Sequence, residues 1–519
     1  MNIENNNNKK NRFHFSSLIL LILFSTFSLW FINAKATAND LSETKKDSIT
    51  TILIDGTVQP DEALSYRLEP FQVPDGIGRM EITFEYTGKN TYSEMEIGLF
   101  DPDRFRGTSR FSKTSFFLSA TRATASYHPG PLISGTWNIS LGFPTIKKES
   151  TYEVTIRLIP KNHRSFMGPD ETALKDTQKW YRGDFHTHTG HSDAYGCKDL
   201  QGNNGPCQVY QVVETAQNNN LDFVSITDHN TVSHHQDMTV IQPSYPDLLL
   251  IRGQEVTTFY GHANVYGTSH LIDFRVGFDD RTFRQIQQEV DSLGALLSIN
   301  HPGRETGANC TGCGWSAKNT NYDQLQVVEV VNGTNVENDI AGLPFWHQLL
   351  NNGYKVTGIG GSDNHSAGFG NSQTGIPTTM VYANSLSEID ILEAVRQGKV
   401  YLKTKGSNGP EISFTAESGT KRWSVGDSIV LSSLDDQKVV FTITYTHIQK
   451  QELELIYNGD VVHNNIKRID TKQAQKDANT EIFVYELINP EKGWLRFNLR
   501  NASNEDITVI SNPIYLGVK

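Results

Sequence analysis

Basic residues are in short supply here: 46 lysines and arginines stand against 58 aspartates and glutamates in 519 residues, a formal charge of −12. No basic stripe is left to track a phosphate backbone, which excludes a nucleic-acid partner. Cysteine is rarer still, with four in all, too few for a disulfide scaffold to replace a packed core. The apolar run Leu18 to Ile32 is too short for a membrane span. No Gly-x-Ser-x-Gly elbow is present, so the chain lacks that form of serine hydrolase machinery. There are no internal repeats, and the only low-complexity tract is Asn5 to Asn8.

What the chain does hold is histidine and carboxylate placed just beyond apolar runs. His186 and His188 lie in Asp184-Phe185-His186-Thr187-His188, which leads on to His191-Ser192-Asp193. Alternate side chains of a strand point the same way, so an i, i+2 pair projects toward one ion as a chelate. Asp363 and His365 repeat that spacing after the run Lys355 to Ile359, and His229 in Thr227-Asp228-His229 ends the run Asp222 to Thr227. Glu255, His262 and His301 each follow further apolar segments, Leu248 to Ile251 or Leu296 to Ile299. A lone His-x-His is weak evidence, but nine candidate ligands at successive strand ends, over a region of about 225 residues, are not explained by packing. Imidazole and carboxylate without thiolate suit zinc, manganese or iron in a multinuclear site.

The order of these motifs resembles a PHP (polymerase and histidinol phosphatase) domain metallohydrolase, most closely the secreted CehA/McbA-like branch, over Trp180 to about Lys405. The resemblance implies a distorted (β/α)7 barrel holding two or three divalent metal ions, zinc first and manganese or iron as alternatives. It also implies that His186, His188 and Asp363 bind the first ion, that Glu255 bridges to a second completed by His262 and His301, and that Asp193, His229 and His365 hold a third. The Glu255 to His262 spacing is short for such a site, and a substrate-facing histidine is the other reading of His262. A hydroxide shared by two metals would attack an ester without a protein nucleophile. The implied reaction is phosphoester hydrolysis, on a phosphodiester or phosphomonoester, with a small-molecule or glycan-linked ester as substrate. Carboxylic ester or carbamate hydrolysis is the alternative, and a polysaccharide-binding protein with a structural metal cluster is a third reading.

Other residues near the motifs carry candidate roles. His234, shortly after Thr227-Asp228-His229, is a candidate proton donor at the pocket rim, with His235 beside it; a pair of surface histidines is the plain alternative. Arg304 is the preferred phosphate clamp, whereas Arg182 and Arg252 are expected to pair with acids. Arg304 opens the loop Gly303 to Tyr322, where Trp315 either stacks on a leaving group or pins the loop.

The remaining sequence frames this region as a multidomain α/β plus β chain. Residues 1–36 read as a secretory signal peptide, with Lys9, Lys10 and Arg12, the apolar run, and then Ala34-Lys35-Ala36. Cleavage would leave a secreted or periplasmic protein with no stable membrane insertion. Residues 45–165 alternate short apolar strands with turns, as in an antiparallel sandwich, and the polar stretch Lys161 to Gln178 links them to the metal region at 178–405. Residues 408–519 return to strand-like segments, read as an immunoglobulin-like β domain. The cysteines are expected as disulfides after export, pairing Cys197 with Cys207 and Cys310 with Cys313 or in either crossed scheme. A Cys310/Cys313 redox pair or half zinc knot is the alternative.

Overall fold

A computed structural model describes residues 48–518 except 164–167, 308–309, 339–341, 369–372, 447–449 and 470–479. The signal-peptide reading of residues 1–36 lies outside the described residues. Among the described residues no helix is long and apolar enough to cross a membrane.

In the central region the strands are β1 (Lys179–Thr187), β2 (Phe223–Ile226), β3 (Leu249–Thr258), β4 (Gly261–Tyr266), β5 (Leu296–Ile299), β6 (Val327–Asn332), β7 (Thr357–Gly361), β8 (Thr378–Ala383) and β9 (Val400–Lys403). They hydrogen-bond in the order β7-β6-β5-β4-β3-β2-β1-β8-β9. Strands β1, β2 and β3 are mutually parallel, as are β5, β6 and β7. Nearly continuous burial along β2, β5 and β6 fits strands covered on both faces. Helices α1 (Val209–Asn218), α2 (His234–Ile241), α3 (Phe283–Ser292), α4 (Leu343–Asn351) and α5 (Glu388–Arg396) fall between them. In α3, Phe283, Ile286 and Val290 repeat at helical spacing on the buried face, and Thr282 with Gln285 closes a capping box.

Two features set the geometry of one end of this sheet. The first is β4, which runs antiparallel to both β3 and β5. Only Phe259 and Tyr260 separate it from β3, far fewer than the dozen residues a parallel crossover needs, so strand and helix do not alternate strictly here. The second is the return of the sheet's far edge. Beyond β7, the Asp363 N–H donates to the His186 carbonyl at 2.8 Å, and the His188 N–H donates to the Asn364 carbonyl at 3.0 Å. The ends of β7 and β1 therefore lie side by side. Gly361 permits this, because a Cβ there would stand 2.3 Å from the His186 Cβ.

The N-terminal part stacks two antiparallel four-stranded sheets. One is ordered Thr50–Val58, Ser150–Pro160, Ile77–Tyr86, Ser115–Ser119, and the other Tyr66–Val73, Gly135–Ile146, Ser93–Phe100, Phe105–Arg110. Met80, Ile82, Trp137, Ile139, Val154 and Ile156 fill the space between them. In the C-terminal part, a five-stranded sheet including Ile412–Ser418, Lys438–Thr446 and Thr480–Ile488 faces strands that extend the central sheet itself. The joint is β9 against Ile507–Ser511, with Tyr401 opposite Ser511, so the stretch 405–408 divides the chain but not the sheet.

Asn512 fastens this joint. Its Oδ1 accepts from the Gly358 N–H at 2.7 Å, and its Nδ2 donates to the carbonyls of Gly358 at 2.8 Å and Val400 at 3.1 Å, all out of water. Truncating it leaves buried backbone groups unpaired. Asn512→Ala is expected to destabilise the protein by about 2–4 kcal/mol with no change in metal content, measured by denaturant unfolding and elemental analysis.

Candidate metal centre

The strand ends described above converge on Glu255, which stands inside β3 with both oxygens buried. Its Oε2 faces His186 on β1 and His188 just beyond it, with Nε2 atoms at 3.5 and 3.6 Å, and the His229 Nδ1 at 2.8 Å. Its Oε1 faces His262 on β4, Nδ1 at 3.2 Å, and His301 beyond β5, Nε2 at 3.5 Å. Asp363 Oδ1 lies 3.3 Å from His186 Nε2 and 3.1 Å from His188 Nε2. On the open side, Asp193 Oδ1 is 3.3 Å from His365 Nε2 and 3.7 Å from His229 Nε2. All nine sequence-marked ligand candidates are thus brought into one cluster. The hairpin explains the short Glu255 to His262 spacing: β4 starts at the end of the sheet where β3 finishes, with His262 opposite Thr257.

The cluster's geometry fits divalent ions. Donors about 2.0–2.2 Å from a tetrahedral ion are about 3.4 Å from each other. The distances from His186 Nε2 and His188 Nε2 to Asp363 Oδ1 and Glu255 Oε2, 3.1 to 3.6 Å, are close to that edge. His186 Nε2 is buried without a hydrogen-bond partner, as a polar atom aimed at a cation would be. Four groupings are close enough to hold an ion: His186, His188 and Asp363; His186, Glu255 and His301; His229, Glu255 and His262; and His188, Asp193, His229 and His365.

The electrostatics also call for positive charge. Burial raises the Glu255 carboxyl, but His229, His186 and His262 outweigh it and hold the group well below the usual carboxylate range. Asp363 is likewise raised by burial and pulled well below its ordinary value by His186 and His188. Burial opposes charge on His229, yet Glu255 lifts it to about 9. His188 goes the other way: burial and the neighbouring His365 and His229 push it down to about 3, leaving a neutral imidazole ready to ligate. His365, with the hydrogen bond it shares, draws Asp193 down to about 2. Protons and divalent cations therefore compete for the same nitrogens.

A supporting layer escaped the sequence reading. Glu329 on β6 lies 2.9 Å from His186 Nδ1 and accepts from the His301 N–H at 2.9 Å and from Asn332 Nδ2 at 3.1 Å. It turns the other ring nitrogen of His186 toward the cluster. The available signal was a single carboxylate within Val327-Val328-Glu329-Val330-Val331, since a buried charge in an apolar strand needs a partner. Asn300 Nδ2 donates to Glu255 Oε1 at 2.9 Å. Asp184, fully buried, accepts from the N–H groups of His186, Ser362 and Gly375 and so joins the loops at the ends of β1 and β7.

The rest of the candidates divide. Arg304 Nη1 donates to Asp363 Oδ2 at 3.2 Å and remains 35 % exposed, at the mouth of the cluster. Arg182 pairs with Asp222 at 3.0 Å and Arg252 with Glu388 at 2.5 Å, both apart from the ligands. His234 is not at a pocket rim. It is buried on α2, with Nε2 3.1 Å from the carbonyls of Ile226 and Gly253 and Nδ1 3.2 Å from Asp228 Oδ2, because His234, His235 and Met238 form the inward face of that helix. Trp315 pins its loop, edge-on to Phe283 with ring centroids 4.6 Å apart. The cysteines form two disulfides, Cys197 to Cys207 and Cys310 to Cys313, with none free, which indicates an oxidising compartment.

The chain matches no protein-family model, no curated protein and no solved structure. Glu329→Gln removes the charge that orients His186 while keeping the side chain's shape. It should weaken metal binding by about 10–100-fold without unfolding the protein, as read by equilibrium dialysis against zinc and by circular dichroism.

Proposed function

We propose that this protein is an exported metal-dependent hydrolase of the PHP type, that residues 178–405 form its distorted (β/α)7 barrel, and that its reaction is hydrolysis of a phosphoester. The observation that carries this reading is the two-faced placement of Glu255, with Oε2 toward His186, His188 and His229 and Oε1 toward His262 and His301. A structural metal site closes on four protein ligands, whereas this cluster spreads nine around a shared carboxylate and stays open on the Asp193 and His365 side. The meeting of β7 with β1 supports the barrel, and the two disulfides agree with export.

Two divalent ions held there, zinc first with manganese or iron as alternatives, would supply a water-derived nucleophile at neutral pH and a Lewis acid for the ester oxygen. The chain's own residues do the remaining work. Glu255 fixes the separation of the two histidine groups. Glu329 and the Asp363 contacts hold the β1 pair in a single orientation. Arg304, with one Nη on Asp363, has its other N–H groups unpaired among the described residues, placed to grip an anionic phosphate oxygen as substrate enters. Substrate approaches from the side of Asp193, His365 and Arg304, where the ligand groups reach solvent.

Two substitutions test this. Glu255→Gln keeps the shape of the bridge and removes its charge, and should lower hydrolysis of bis(p-nitrophenyl) phosphate by about 100-fold or more in a protein that remains folded. Parental rates in a metal-restored Glu255→Gln protein would overturn the reading. Arg304→Ala should raise KM for the phosphodiester by about tenfold, the loss of one charged hydrogen bond, and leave p-nitrophenyl acetate hydrolysis nearly unchanged. Equal losses on both esters would favour the carboxylic ester reading instead.

A further inference from the structure

The loop after β5 reaches across to the cluster through the Cys310–Cys313 disulfide. We propose that this four-residue disulfide loop is a positioning element for His262, and that binding of the second metal depends on it; this rests on the metal reading above. His262 uses both ring nitrogens: Nδ1 lies 3.2 Å from Glu255 Oε1, and Nε2 lies 3.1 Å from the Thr311 carbonyl. A carbonyl oxygen only accepts, so Nε2 carries the proton and the Nδ1 lone pair is directed to the side where Glu255 and His229 present their ligand atoms. The Thr311 carbonyl therefore selects the tautomer that can ligate, as a hydrogen-bonding partner behind a metal-bound imidazole does.

Thr311 has no helix or sheet to hold it, since it lies in the stretch between β5 and the short helical turn Tyr322–Gln324. The disulfide takes that role. It closes Cys310-Thr311-Gly312-Cys313 into a small ring with Cys313 fully buried, and Cys310 and Gly307 exchange backbone hydrogen bonds at 3.1 and 3.2 Å. The ring is seated on the β3–β4 turn. Gly312, at φ +75°, lies so close that a Cβ there would be 2.1 Å from the Thr258 carbonyl oxygen. On the far side, the Trp315 ring packs against Phe283, and its backbone N–H donates to the Pro302 carbonyl at 3.1 Å. Both ends of the ring are thus fixed on elements that also carry ligands: β3 and β4 carry Glu255 and His262, and the residue before Pro302 is His301. The other disulfide, Cys197 to Cys207, lies beside His365 and has no contact with His262.

The test is Cys310→Ser/Cys313→Ser, titrated with Co2+ by equilibrium dialysis and visible absorption beside the parent. Serine is used because freed thiols would themselves bind cobalt. The expected result is one Co2+ bound as in the parent and the second about 10–100-fold more weakly, with unchanged far-ultraviolet circular dichroism. Gly312→Ala, which displaces the ring while keeping the disulfide, should reproduce that selective loss and serves if the serine pair does not fold. Parental affinity for both ions in either folded variant overturns the positioning role alone. A parent that binds fewer than two Co2+ ions overturns the metal reading and this proposal with it.

Discussion

The Glu255 carboxylate is fully buried, and no lysine or arginine among the described residues touches it. An ionised carboxylate out of water without compensation costs several kcal/mol even after relaxation. Here compensation comes from five imidazoles and the Asn300 amide, contributed by β1, β4 and the segments after β1, β2 and β5. One charge therefore ties together strand ends that are far apart in sequence. The same arrangement could hold metal cations. Where His186 and His229 compensate Glu255 as imidazoliums, a divalent ion would displace their protons to solvent and take over the pairing with the carboxylate. The supporting residues follow from this: Glu329 faces the outer nitrogen of His186 as Glu255 faces the inner one.

Local backbone conformation serves that constraint. His301 at φ +27° and Asp363 at φ +52° both occupy the left-handed side of the map, which costs non-glycine residues about 1–2 kcal/mol each. A strand continued past β5 or β7 would have sent successive side chains to opposite faces. The reversal of φ ends the strand and turns the ligand into the cluster. Each strained residue is held by a bond made through its own N–H, His301 to Glu329 and Asp363 to the His186 carbonyl. The backbone partners that hold the strain are thus ligands or residues that orient ligands, so strain and coordination are parts of the same local structure.

What was legible in the sequence follows from how local each signal is. The i, i+2 pairs were readable because strand alternation is a property of three residues, and the nine candidates do meet. Glu329 was hidden inside an apolar run whose pattern reports burial and not charge pairing. His234 was read as a rim residue from its place after Thr227-Asp228-His229, but the face of a helix is set by packing over several turns, and α2 turns it inward. Pro70 interrupts the apolar pattern of strand Tyr66–Val73, which lies at a sheet edge, where a missing N–H is tolerated. The continuation of the central sheet into Ile507–Ser511 rests on pairing across more than a hundred residues, for which no local pattern exists.

The acidic balance of the chain bears on which substrates the cluster can accept. A charge of −12 repels an anionic ester at long range, but salt screens such repulsion beyond about 8–10 Å. Within that radius of the mouth the balance is local. Asp193, His365 and His229 share charge among themselves, Asp363 is engaged by Arg304 and two imidazoles, and the partly exposed Arg304 has no second partner for its N–H groups among the described residues. Under the proposed phosphoesterase reading, an anionic phosphate entering there would meet the guanidinium before the metal positions, so its recognition would rest on a few groups in the last few ångströms. A neutral ester gains nothing from the guanidinium. On the proposed reading, the Arg304 guanidinium at the open side is the feature that would favour a phosphoester over a carboxylic ester.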